Sequence, residues 1–195
     1  MKILFLGPDD SPVLDFLRKR ESSVVQTEAK LNLSSLKIDS VDFLVSYSYR
    51  HIIKADILRL FPNRAINLHI SLLPWNRGAD PNLWSFLEGT PKGVSIHYLD
   101  EGLDTGDIIV QREVFFDENQ DTLASSYKKL QMEIQQLFYE SWDSIRAGTS
   151  QRVPQRGSGS FHRSSDKIRV EHLLQPLGWD TPIKAVIGKA AKLDS

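Results

Sequence analysis

The chain is 195 residues long, 41% hydrophobic and 25% charged, with a formal net charge of -1 and no cysteine. That length and composition suit one globular domain and exclude wholesale disorder, and the lack of thiols excludes disulfides and thiolate metal sites. The near-neutral charge argues against a general nucleic-acid or membrane-surface binder, no apolar run approaches the ~18 residues of a membrane span, and the expectation is a cytoplasmic protein.

Short β-like runs alternate with helices along the chain. Lys2–Gly7 reads as a buried first strand ending in a glycine turn, and Ser11 with Pro12 as the start of a helix whose apolar face is Val13, Leu14, Phe16 and Leu17. Val24-Val25 suggests a second strand, Phe43–Tyr47 a third, and Ala55–Phe61 a helix stopped by Pro62. Ala65–His69 is the next strand, and Asp80-Pro81 opens a helix through Leu87 with Gly89 beyond its end. Two strands follow, Gly93–Leu99 and Asp107–Phe116. Asp121 then caps a long helix whose apolar positions are Leu123, Tyr127, Leu130, Ile134, Leu137, Phe138, Trp142 and Ile145. Gly157-Ser158-Gly159-Ser160 reads as a flexible turn, and Asp166–Leu174 as one short helix. The alternation predicts an α/β domain with a mostly parallel central sheet flanked by helices.

Charge divides unevenly along this order. Residues 1–145 carry 15 Lys/Arg against 21 Asp/Glu, and residues 146–195 carry 9 against 4. A solvated tail explains the second figure as well as an anion-binding one does. The phosphate-loop pattern is absent, and the turn after the first strand is Gly7-Pro8-Asp9-Asp10-Ser11, whose carboxylates would repel a phosphate. The five histidines show no metal-binding spacing, so no metal is expected. A nucleophile elbow is also missing.

The informative stretch is Asn67-Leu68-His69. Strand alternation puts Asn67 and His69 on one face, about 6.5 Å apart along the strand. The acidic turn Asp100–Asp107 lies between two later strands, and a parallel sheet could bring it beside His69. Asn, His and Asp together suit acyl transfer to an amine. The Asn67 amide can donate to an oxyanion, His69 can donate there or accept a proton, and Asp104 can orient His69. The attacking group would be the substrate's own amine.

Asn67-x-His69-x-Ser71-Leu72-Leu73-Pro74, then Arg77-Gly78, then Gly93–His97, then Asp104-Thr105-Gly106-Asp107-Ile108-Ile109 resembles the folate-dependent formyltransferase family. The resemblance implies a Rossmann-like domain, with residues 1–148 as catalytic core and 149–195 as an extension packing on it. It implies Asn67, His69 and Asp104 as catalytic residues and N10-formyltetrahydrofolate as the formyl donor. Folate would lie near Tyr49, Arg50, His51 and Ile52, and near Tyr98, Asp100, Gly102 and Leu103. A packed loop accounts equally well for Tyr49 and His51.

Within the family, the methionyl-tRNA enzymes add a second domain for which this chain has no room, and an acidic core is a poor footprint for tRNA. The glycinamide ribonucleotide enzymes carry a phosphate loop where this chain has Pro8-Asp9-Asp10. Arg77–Ser85 with Val45–Arg50 is most similar to the sugar N-formyltransferases, which modify the amine of a nucleotide-linked aminodideoxy sugar used in surface glycans. The alternative is the formylation domain of nonribosomal peptide synthetases, acting on a carrier-tethered aminoacyl group. On the sugar reading Trp75, Asn76, Arg77, Asp80 and Asn82 are acceptor-site candidates, and Arg156, Arg163 and Lys167 are further candidates for a diphosphate. The expected partner is a small-molecule amine, with no nucleic acid and no membrane, and a homodimer is compatible with the sequence.

Overall fold

The computed structural model describes residues 1–33 and 41–190, so the last five positions of the expected extension lie outside the described residues. Strands β1 (Lys2–Leu6), β2 (Ser23–Thr27), β3 (Phe43–Tyr47), β4 (Ala65–His69), β6 (Gly93–Tyr98) and β7 (Ile108–Glu113) form a sheet in the order β2-β1-β3-β4-β6-β7. The short strands β5 (Arg77–Gly78) and β8 (Phe161–His162) pair with each other in parallel. Helices α1 (Pro12–Arg20), α2 (Ala55–Leu58), α3 (Pro81–Leu87) and α4 (Leu123–Arg146) fall between them. β1 runs parallel to β2 and β3, and β3 runs parallel to β4. The Leu99 N–H donates to Ala65 O, which sets the end of β6 beside the start of β4 and reverses β6. Tyr98 N–H donates to Asp107 O, so β7 turns back again and rejoins the common direction. The sheet is therefore mostly parallel, as the alternation predicts.

Two compact units interleave along the chain. The first joins Met1–His69, Ile96–Val110 and Gln135–Pro154, and the second joins Ile70–Ser95, Gln111–Ile134 and Gln155–Ser195. In the first unit both faces of the sheet are covered, which is why β1 and β3 are continuous apolar runs. Leu4, Leu6 and Leu44 point to one face and pack with Ile57, Leu58, Phe61 and Ala65. On α4, Phe138 stacks edge-on against Phe16 of α1, and Trp142 meets Phe43 of β3. The buried Glu21 carboxylate holds this corner together. It accepts from Trp142 Nε1–H and from Arg146, each at 2.9 Å, and pairs with the amine of Met1. The second unit has its own core of Leu83, Trp84, Phe86, Leu87, Leu123, Val170, Leu174, Ile183 and Val186.

Several local expectations change in the folded chain. Ser11 occupies the cap position of α1, but its hydroxyl makes no capping bond. α2 stops at Leu58, and the chain continues to Phe61 in tighter turns that deliver Phe61 to the apolar cluster. Thr122, not Asp121, caps α4: its Oγ1 accepts from Ser125 N–H while Ser125 Oγ accepts from Thr122 N–H, a reciprocal pair. Tyr127 is 47% exposed and leaves the apolar face of α4. Asp166–Leu174 divides into two 3-10 segments, Ser164–Arg169 and Glu171–Leu174, because Val170 and Leu174 are both drawn into the second core. Residues 157–160 are a docked turn rather than a flexible one. Ser160 N–H donates to Pro74 O, and a Cβ added at Gly159, where φ is +60°, would collide with that carbonyl oxygen.

Two consequences are measurable. Gly159→Ala should destabilise the protein by about 1–3 kcal/mol in urea denaturation, through backbone strain and the lost close approach; an unchanged midpoint would contradict the docked turn. Burial alone would raise the pKa of Glu21, but the hydrogen bonds from the Met1 amine and Trp142, with the charge of Arg146, hold it below its ordinary 4.5. A lowered folded value means this stabilisation is complete above that pH and fades as pH falls through the folded value. Glu21→Gln should therefore flatten the acid limb of a stability-versus-pH curve.

Candidate active site

Strand alternation places Asn67 and His69 on the same face of β4, at its middle and its end. The loop between β6 and β7 folds back over that face and brings Asp104 to them. This loop is shaped by its own residues. The Asp100 carboxylate accepts from Gly102 N–H at 3.1 Å and from Thr105 Oγ1–H at 2.7 Å. Gly106 approaches Tyr98 O so closely that a side chain there would collide with it. Asp104 itself sits at φ +53°, a left-handed conformation that aspartate tolerates better than most residues.

The result is a compact polar cluster in the first unit. Asn67 Nδ2 donates to Asp104 Oδ1 at 3.1 Å and lies 3.4 Å from His97 Nε2. His69 Nδ1 stands 3.7 Å from Asp104 Oδ2, and both side chains are 9% exposed. His97 Nδ1 is 2.8 Å from the Tyr98 carbonyl oxygen, which can only accept, so Nδ1 carries the hydrogen and Nε2 offers its lone pair when the ring is neutral. Asn67 Nδ2 thus reaches both Asp104 Oδ1 and His97 Nε2, and His97 Nε2 itself lies 3.4 Å from Asp104 Oδ1. With Nδ1 turned to Asp104, the opposite ring nitrogen of His69, Nε2, is the edge for exchanging a proton with a reacting group.

The cluster unites the three residues singled out from sequence and adds a fourth. His97 stood within a quoted motif but carried no assigned role. β6 alternates in sequence, but only its antiparallel pairing with β4, a nonlocal feature, sets His97 across from Asn67. Among the described residues no group of side chains could hold a metal ion, and no helix is long and apolar enough to cross a membrane.

The folate candidates divide into framework and exposed positions. Tyr49 and Leu99 pack on one apolar cluster, which brings the segments containing them to the same region of the first unit. The Tyr49 hydroxyl donates to Ala29 O at 2.7 Å and accepts from Leu31 N–H at 3.1 Å, so its polar end serves the fold, and burial raises its pKa. Tyr98 is buried beneath the Arg152 guanidinium, and Asp100 and Gly102 shape the turn carrying Asp104. By contrast, Arg50, His51 and Ile52 are exposed, Ile52 at 75%, and Leu103 is 42% exposed.

The acceptor candidates lie in the second unit, and two of them are framework residues. Asn82 donates to Leu123 O at 3.0 Å and accepts from Ser126 Oγ–H at 3.1 Å, tying α3 to the start of α4. Asn76 is fully buried and donates to Glu88 Oε2 and Ser160 Oγ while accepting from Thr90 Oγ1–H. Their amides are committed to the fold rather than to a ligand. Trp75, Arg77 and Asp80 are only partly buried. Arg156 and Arg163 are exposed, and the Lys167 ammonium lies over the Trp179 ring. A cavity of about 300 Å³ bordered by Phe86, Lys92, Phe116 and Ile183 shares no residue with these candidates.

Comparison with known proteins agrees with this geometry. The formyl transferase family matches residues 8–141. The formyltransferase PseJ from Anoxybacillus kamchatkensis, solved in complex with UDP-4,6-dideoxy-4-formamido-L-AltNAc and tetrahydrofolate, is 54% identical over 97% of this chain and all of that one, with a TM-score of 0.93. A 4-N formyltransferase from Francisella tularensis shares the fold at 22% identity, covering 95% of this chain and 85% of that one, with a TM-score of 0.73. The methionyl-tRNA formyltransferase of Pelobacter propionicus is 30% identical over 178 residues, which is 91% of this chain. The chain spans about half the length of that curated relative (52%). On these grounds, and on the Asn67–His69–Asp104 cluster, the chain belongs to the formyl transferase family.

Proposed function

We propose that this protein transfers a formyl group from N10-formyltetrahydrofolate to the primary amine of a nucleotide-linked aminodideoxy sugar. The observation that carries the reading is the end-to-end similarity to PseJ, whose crystal structure holds a formamido sugar nucleotide and tetrahydrofolate together. The set on β4 and the loop between β6 and β7 fits the chemistry: a carboxylate, an imidazole and an amide converge with no nucleophilic side chain among them. Residues 1–148 act as the catalytic core in this reading, and the segment from 149 completes the acceptor side. The reaction is assigned to the cytoplasm.

The neutral amine attacks the formyl carbon and a C–N bond forms as the carbonyl oxygen becomes an oxyanion. His69, through the ring edge away from Asp104, stabilises that oxygen. Asn67 can join by turning the hydrogen now facing His97 Nε2, whose 3.4 Å contact is the weaker of its two. The proton lost by the amine passes to Asp104 or to a water held by it. Breaking the carbon bond to folate N10 completes transfer, and N10 takes up a proton. Exposed Ile52 and Leu103 are the apolar surfaces best suited to the pterin, since each would lose water contact on binding.

His69→Ala and Asp104→Asn should each lower kcat by roughly 10²–10⁴-fold while circular dichroism remains that of the wild type. Near-normal turnover in both would remove the assigned roles. Formyl-tetrahydrofolate offered with UDP- and dTDP-linked amino sugars, a carrier-bound aminoacyl group and methionyl-tRNA should yield a formylated sugar. A formylated carrier or tRNA with inert sugars would overturn the reading.

A further inference from the structure

Arg77 differs from most paired arginines of this chain in what holds it. Arg20, Arg59, Arg112, Arg146 and Arg152 each face a carboxylate, from Asp143, Glu101, Glu133, Glu21 and Asp107. Arg77 is partly buried, and its guanidinium is fixed instead by a neutral oxygen. Gln155 Oε1 accepts from Nε at 3.2 Å and from Nη2 at 3.0 Å. Among the described residues no carboxylate neutralises Arg77, and Nη1 donates to none of them. A cation that is partly desolvated, geometrically fixed and without a carboxylate within 4 Å is suited to take an anion, and a guanidinium fork matches phosphate oxygens.

Gln155 is delivered there by a built segment. Residues 159–162 dock along 74–79: Asn76 N–H donates to Ser160 Oγ, Arg77 N–H to Ser160 O and Ala79 N–H to His162 O. His162 then stacks on Trp84 at 3.9 Å with the rings 4° from parallel and sets Nε2 3.0 Å from Glu88 Oε1. We infer that Arg77 reads the diphosphate of the acceptor nucleotide and that Gln155 is its positioning residue, a neutral hold that fixes the guanidinium without cancelling its charge. This rests on the sugar-nucleotide reading and adds how that substrate class is recognised.

The test compares wild type with Arg77→Ala, Gln155→Ala, Gln155→Glu and the Arg77→Ala/Gln155→Glu double variant. Calorimetry with UDP and dTDP, and with uridine and thymidine as probes lacking phosphate, accompanies steady-state kinetics. Gln155→Glu supplies a carboxylate to Arg77 and should weaken the nucleoside diphosphate by about tenfold or more, as should Arg77→Ala. Nucleoside binding, kcat and the KM for formyl-folate should stay within about twofold, while the acceptor KM rises. Gln155→Ala should cost only a few-fold, and the double variant, which leaves an unpaired carboxylate facing the diphosphate, should bind it at least as weakly as Arg77→Ala alone. If the wild type formylates sugar nucleotides but diphosphate affinity is unchanged in Arg77→Ala and Gln155→Glu, the fork is wrong and the function stands. If the Gln155 variants lower kcat, both KM-derived affinities and thermal stability together, Gln155 is structural and the inference fails. A wild type that formylates no nucleotide-linked amino sugar overturns the function and the fork with it.

Discussion

The hydrogen bond from Asn67 Nδ2 to Asp104 Oδ1, 3.1 Å long, ties the middle of β4 to the loop that follows β6. Everything else about the polar cluster is arranged around that link. Asp104 adopts a left-handed backbone conformation to reach it, and Asp100, Gly102 and Gly106 shape the loop so that it can. The same carboxylate faces His69 through its other oxygen and lies 3.4 Å from His97 Nε2, so one anion faces three partners at once. Because Asn67 also contacts His97 Nε2, the amide cannot rotate freely; turning it over would set its carbonyl oxygen against the Asp104 carboxylate. A carboxylate fixed in this way also holds its place beside His69, so on the proposed reading the Asp104–His69 pair needs no reorientation during transfer.

The second unit follows a different logic, in which buried polar groups assemble a surface. Asn76, Glu88, Ser160 and His162 form one connected set. Burial would raise the pKa of Glu88, yet hydrogen bonds from His162, Ser160 and Asn76 and the nearby charge of His162 hold it below its ordinary value. A carboxylate kept ionised in this way fixes Asn76 and His162, and with them the pairing of β5 and β8. Arg77 lies within that pairing, so the segment after α4 shapes the surface on which Arg77 stands.

Much of the reactive cluster was legible because period-two alternation and a quoted motif are local properties. Asn67 and His69 share a face in any β4 that forms, and Asp104 follows from the motif. His97 was not legible as a participant until the reversal of β6 set it opposite Asn67, because strand direction is a nonlocal fact. The acceptor side was read less well for a related reason. Asn76 and Asn82 look like ligand donors in sequence, but an asparagine that bridges two buried elements looks the same until its partners are known. The Gly157–Ser160 stretch carried the composition of a flexible turn, whereas its glycine serves close backbone approach to Pro74. The long helix α4 was legible nearly throughout, since an apolar stripe over 24 residues leaves few alternatives.

On the proposed function, the formyl group passes directly between two bound small molecules under the control of the Asp104-centred cluster. A single-turnover experiment with formyl-tetrahydrofolate labelled with 13C at the formyl carbon, followed by NMR and by mass analysis of the protein, tests it most directly. Label should move from folate to the amide nitrogen of the amino-sugar nucleotide in one phase, with no labelled protein adduct, and Asp104→Asn should slow this phase while both substrates still bind. Label on the protein, release of label as formate, or an undiminished rate in Asp104→Asn would contradict it.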